Sequence, residues 1–156
     1  MTYFINIYVL ENQLIFTGIL DMYFEKYKGI GPGYYSKPIL VQPRTCSAED
    51  VEKAVQQCVE EMQKHKDAIL HENSNNDIMQ MEKVLFQNFK LFGITASKSK
   101  IIKQSILILI QKKEDGFSVC RCGASGRYMM VQKETSLPSD TPMLTVAQYA
   151  LDLLDD

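Results

Sequence analysis

Residues 106–110 read Ile-Leu-Ile-Leu-Ile, five apolar side chains with no polar break. Side chains alternate between the two faces of a strand, so such a run leaves no face for water. It reads as a central strand covered on both sides. It is also the longest apolar run in the chain, far short of the roughly 20 residues a membrane helix needs. A turn over residues 112–116, a strand over 117–122, a turn over 123–126 and a strand over 128–132 complete an antiparallel meander.

The first forty residues also read as strands. Residues 3–10 and 14–20 mix β-branched and aromatic side chains around the break Glu11-Asn12-Gln13, which suits a hairpin. Alternation continues over residues 21–28, a further candidate strand. Gly29, Gly31, Pro32 and Gly33 then impose a loop, and a short strand over residues 39–41 lies between Pro38 and Pro43.

Three helices are expected. Ser47 caps the first, with Glu49 and Asp50 in its first turn and Val51, Ala54, Val55, Cys58, Val59 and Met62 as one apolar stripe. The polar cluster over residues 71–76 reads as a surface loop. Asp77 then caps a helix running to Phe92, stopped by Gly93, with Ile78, Met81, Leu85, Phe89 and Phe92 inward. Val84, Phe86 and Leu91 widen its apolar surface beyond one stripe. Thr141 caps the last helix, with Pro142 at its first position and residues 144–154 following. The expected fold is α+β: one domain over residues 1–156, an antiparallel sheet with about three helices packed over one face. Val51, Val55, Cys58, Leu85, Phe89, Ile108, Val146 and Leu154 are the predicted core.

Two strand–proline–helix units align without a gap when Pro138 is set against Pro43. Val146 then matches Val51, Ala150 matches Val55, Leu153 matches Cys58 and Leu154 matches Val59. Recurring hydrophobic periodicity alone can produce such a match, and one recurrence is too few for a solenoid.

The same units carry a family resemblance. The segment Ile30-Gly31-Pro32-Gly33-Tyr34-Tyr35-Ser36-Lys37-Pro38-Ile39-Leu40, with Ser47-Ala48-Glu49-Asp50-Val51-Glu52-Lys53-Ala54-Val55, resembles the first half of one family of bacterial contact-dependent growth inhibition immunity proteins. Gly93, residues 98–103 and the following strand resemble its middle, and Glu134-Thr135-Ser136-Leu137-Pro138 its closing segment. The chain departs from the family where two helices there begin with Leu-Gly; here the pairs are Val51-Glu52 and Val146-Ala147. The resemblance implies a cytoplasmic protein that binds and neutralises a cognate toxin domain, commonly a nuclease, with no catalytic residues of its own.

The residues themselves nominate no enzyme. Gly-rich residues 29–33 lead to Pro38 and a short strand rather than a helix N-terminus, so they make no phosphate loop. Gly123-Ala124-Ser125-Gly126 resembles a nucleophile elbow in composition only, and Glu60 and Glu61 lie 100° apart on a helix. Cys120 and Cys122 point to one face of a strand, yet two thiolates need two more ligands to hold zinc. Cys46 is available, Cys58 belongs to a helix stripe, and His65 and His71 do not form a helical ligand pair. Small buried side chains is the simpler reading of the cysteines. No catalytic, metal or cofactor site is expected.

Charge separates along the chain. The net formal charge is −2, which argues against a chain built to neutralise phosphates. Residues 47–82 nevertheless hold nine acids against three lysines, a balance of −6, and residues 97–113 hold five lysines and no acid. The acidic stretch suits a cationic nuclease, with Glu49, Glu60 and Glu61 as partner-binding residues. A solvated helix stitched by Glu49–Lys53 and Glu60–Lys64 explains the same charges. Two other classes stand beside the immunity reading: a subunit that dimerises through residues 77–92, and an RNA-binding protein using Lys98, Lys100, Lys103, Lys112 and Lys113. The lysines lack interleaved aromatics, which weighs against direct nucleic-acid binding. The N-terminus carries no basic lead-in to an apolar segment, so a cytoplasmic protein without a membrane partner is expected.

Overall fold

The computed structural model describes residues 2–126 and 128–155. Strands β1 (Tyr3–Leu10), β2 (Gln13–Phe24), β3 (Gly29–Tyr34), β4 (Leu40–Pro43), β5 (Ile106–Lys113), β6 (Gly116–Ser125) and β7 (Tyr128–Pro138) form one antiparallel sheet. Its order is β3-β2-β1-β5-β6-β7, with β4 beside the other half of β2. Helices are α1 (Ala48–Lys64), α2 (Lys66–Asn75), α3 (Ile78–Gln87), α4 (Lys98–Gln104) and α5 (Met143–Asp152). A 3-10 turn, Asn88–Phe92, continues α3 until Gly93 ends it with φ +78°, a left-handed conformation glycine adopts without strain.

The α+β class and the antiparallel sheet stand as expected, and all eight predicted core residues are buried. The helix count and their placement do not. Ile5, Ile7 and Val9 of β1 share a core with Val51, Val55, Cys58 and Val146, whereas Tyr8 and Leu10 share another with Leu85, Phe89 and Ile101. Alternate residues of one strand point to opposite faces. Helices α1 and α5 therefore cover a first face, and α3 with α4 covers a second. The two strand–proline–helix units lie together on that first face, where α1 packs on α5.

Helix α2 carries the chain from one face to the other, and it occupies the polar stretch read as a loop. Asn73, only 3% exposed, accepts from the Tyr34 N–H at 3.0 Å and donates to the Tyr34 carbonyl at 3.0 Å. It also donates to the Ile69 carbonyl at 2.7 Å. One side-chain amide thus substitutes for a neighbouring strand at the β3 edge, and this tertiary contact outweighs the weak helix propensity of Asn and Ser.

The glycine segment forms strand β3 and not a loop. An edge strand tolerates Pro32, whose missing N–H can face outward. A Cβ on Gly33 would collide with the Met22 side chain, and one on Gly31 would press on the Phe24 ring at 3.2 Å. The glycines therefore serve close packing. The strand foreseen over residues 21–28 is the end of β2, which turns after Phe24. Strand β6 continues through Gly123–Ser125, where a turn was expected, and Gly126 takes φ +63°. Residue 127 lies outside the described residues. Helix α5 starts one residue late: Pro142 is its cap, and the Thr141 hydroxyl donates to the Pro138 carbonyl at 2.7 Å. Helix α4 was not foreseen; it is short and capped by Ser97.

Candidate functional site

The acidic helix α1 begins as its sequence dictates. The Ser47 hydroxyl accepts from the Asp50 N–H at 3.2 Å, and the Asp50 carboxylate accepts from the Ser47 N–H at 3.1 Å. The Ser47 backbone N–H, and after it the Ser47 hydroxyl, hold the Asp50 carboxyl below its ordinary pKa. Glu49 and Glu60 are exposed and eleven residues apart, which puts them within about 20° of each other on one helix face. Glu61 points elsewhere and is half-buried. It accepts from the Tyr35 hydroxyl at 3.4 Å and faces His65 Nε2 at 3.4 Å. Burial, and then this carboxylate, raises the Tyr35 phenol pKa.

The three predicted glutamates therefore do not form one patch. Glu49 and Glu60 share an exposed stripe with Lys53 between them, and neither Glu49–Lys53 nor Glu60–Lys64 forms an ion pair among the described residues. Glu61 instead flanks a shallow cleft of about 230 Å³ lined by Tyr35, Lys37, His65 and Glu72. The cleft lies between the Tyr35–Lys37 segment and the start of α2, and Glu61 of α1 reaches its edge through Tyr35 and His65.

The other sequence candidates are dispersed. Cys120 and Cys122 are buried on the second face and Cys58 on the first, and among the described residues no cluster of three metal-ligating side chains forms. Burial raises the pKa of all three thiols. The lysines of residues 97–113 divide. Lys98, Lys100 and Lys103 lie on α4, while Lys112 and Lys113 end β5, about 20 Å of strand further on. Lys98 pairs with Glu82 at 2.6 Å, and Lys112 lies over the Phe117 ring at 4.2 Å. Helix α3 leaves Met79 79% exposed and the 3-10 turn after it leaves Leu91 62% exposed, and Phe92, expected inward, is also exposed.

Sequence reasoning missed a polar pocket on the second face. Asn6, Tyr8, Tyr34 and Glu82 line a cavity of about 220 Å³ walled by Phe86 and Leu107. Asn6 is 7% exposed, and among the described residues its Oδ1 has no hydrogen-bond partner. The Tyr34 hydroxyl donates to Glu82 Oε2 at 3.4 Å, while Lys98 holds the other carboxylate oxygen. Burial pushes the Tyr34 phenol up to about 12, with Glu82 adding to it, and pushes the Tyr8 phenol well up, so both keep their protons. The signal was present in β1: Asn6 interrupts a strand whose neighbours on both sides are apolar.

No family model and no curated protein matches the sequence. Among solved structures, a Neisseria meningitidis protein of unknown function has a similar fold, with TM-score 0.63 and 14% identity over 98% of this chain and 93% of that one. The likeness is one of fold. Among the described residues no helix is long and apolar enough to cross a membrane.

Proposed function

We propose that this chain is a cytoplasmic immunity protein that binds a cognate contact-dependent growth inhibition toxin domain and covers its active site or substrate surface. The toxin is of nuclease type, and the contact runs along α1 through Glu49 and Glu60 to the Glu61 cleft. One observation carries the reading. The glycine–tyrosine segment that resembles the family delivers Tyr35 onto Glu61 of the helix that resembles it too, at 3.4 Å. An interface of about 1,000 Å² centred there needs only a few desolvated anchors. Glu49 and Glu60, at the rim, act chiefly on association rate.

Co-expression with the toxic C-terminal domain encoded beside this gene tests the proposal. Protection from growth arrest is expected, and failure to protect against any neighbouring toxin overturns it. Charge reversal of Glu49 and Glu60 should slow association at low salt with folding intact. Glu61→Gln should shorten the lifetime of the complex, because its partners Tyr35 and His65 lose their anchor. Unchanged binding by both variants removes α1 as the contact. A second reading, a dimerising subunit, draws on the exposure of Met79 and Leu91. A monomer in sedimentation at high concentration discards it.

A further inference from the structure

We propose that a groove on the second face, between α3 and the segment leading into α4, docks an acidic amphipathic helix of another protein. The inference uses residues apart from α1 and stands whether or not the immunity reading holds. The groove encloses about 680 Å³, room for more than one large side chain. Its floor is apolar, with Phe86 and Ile94 buried and Ala96 lining it with them. Met79 also lines it yet is largely in solvent, a flexible apolar side chain of the kind that adapts to a partner's contour.

Charge selects the occupant. Lys83 on α3 and Lys90 on the 3-10 turn beyond it line the groove and are exposed, and neither forms an ion pair among the described residues. They lie roughly 12 Å apart along the axis, close to two turns of a docked helix. Lys98, from the start of α4, is already held by Glu82 at 2.6 Å. The groove's own acid, Asp77, accepts from the Gln80 N–H at 2.7 Å, where it caps α3. This local positive excess stands against a net charge of −2 for the chain. A helix that sets carboxylates against Lys83 and Lys90 and lowers apolar side chains onto Phe86 and Ile94 satisfies both features. RNA fits less well, because no exposed aromatic ring lines the groove for a base to stack on. A second copy also fits less well: its acidic helix α1 turns its apolar stripe into its own core and has none to lower into the groove.

The probe is a labelled synthetic helical peptide of two heptads, in which glutamates at i and i+7 flank leucines at i+3 and i+4. It is titrated into the full chain and followed by anisotropy and amide chemical shifts. Saturable binding is expected with Kd at or below about 100 µM, weakening with salt, and with shifts centred on Phe86, Lys90 and Ile94. The same peptide with lysine in place of glutamate should bind at least tenfold more weakly. Lys83→Glu combined with Lys90→Glu should lose at least tenfold in affinity for the acidic peptide with circular dichroism unchanged. Ala96→Trp, which fills the groove and keeps every lysine, should abolish binding. The proposal is overturned if the acidic peptide does not saturate, if the shifts fall outside the groove, if the lysine peptide binds as well, or if either variant binds normally. An oligouridine that displaces the peptide and binds more tightly would give the lysines to RNA and overturns it too. So does self-association that Ala96→Trp abolishes, which would make a second copy the occupant.

Discussion

The two faces of the sheet are built on different chemistry. Under α1 and α5 the buried side chains are apolar without a break, from Ile5 and Phe16 through Val55 and Met62 to Val146. Under α3 and α4 the apolar cluster is smaller, and Asn6, Thr17 and Ser118 are buried on the same face among it or beside it. Apolar burial gains stability with every methylene, whereas a buried polar group at best breaks even unless it is paired. The first face therefore holds the fold together, and the second retains polar groups that stability alone does not require.

Neighbouring residues of β5 put this contrast to the largest test. Ile108 lies on the first face at 1% exposure and Leu107 on the second at 9%. Ile108→Ala should cost about 4 kcal/mol and Leu107→Ala about 2 kcal/mol, read from denaturant midpoints at unchanged slope. Equal costs would erase the distinction between the faces.

The junction between the faces comes next. Asn73→Leu removes three hydrogen bonds and leaves the Tyr34 N–H and carbonyl at the β3 edge without partners. The expected loss is about 1–3 kcal/mol, with faster amide exchange at Tyr34 than in β1. If exchange at Tyr34 is unaltered, α2 is held by its apolar contacts alone.

Much of this architecture was legible, and the misses have physical causes. The unbroken apolar run at residues 106–110 already required cover on both faces, and Ile108 and Leu107 do enter different cores. The helices were nevertheless assigned to one face, because strand periodicity locates a buried face without saying which helix covers it. The stretch His71–Asn76 looked like a loop because its composition is polar; only the docking of Asn73 on β3 makes most of it helix. Likewise Gly31 and Gly33 read as loop punctuation until Phe24 and Met22 are seen against them. At the candidate sites, Glu49 and Glu60 were visible as charges, but the Tyr35–Glu61 contact spans 26 positions and has no local signature.

A smaller effect concerns how the first face is closed. Arg121 of β6 donates to the Leu153 carbonyl at 2.6 Å and to the Leu154 carbonyl at 3.0 Å, where α5 ends. Cationic donors suit the carbonyls at a helix C-terminus. Arg121→Met should cost about 1–2 kcal/mol and loosen the end of α5, seen as lost amide protection there while α3 on the second face is unaffected. Loss of protection in both helices would mean that the faces unfold as one unit.

The smallest effect is a pH dependence at the start of α1. The Asp50 carboxylate is stabilised by the Ser47 backbone and hydroxyl, which lowers its pKa in the folded chain. A depressed carboxyl pKa contributes stability that is fully present above the unfolded value, about 3.9, and is lost as pH falls through the folded value. Asp50 is exposed to solvent, so the contribution is small and salt-sensitive. Asp50→Asn keeps the side-chain carbonyl and removes the titration. Its unfolding midpoint should fall slightly below that of the parent protein at pH 6, and the two should converge toward pH 2. A gap that persists at pH 2 would assign the loss to cap geometry and not to charge, and would leave acid sensitivity to groups elsewhere on the two faces.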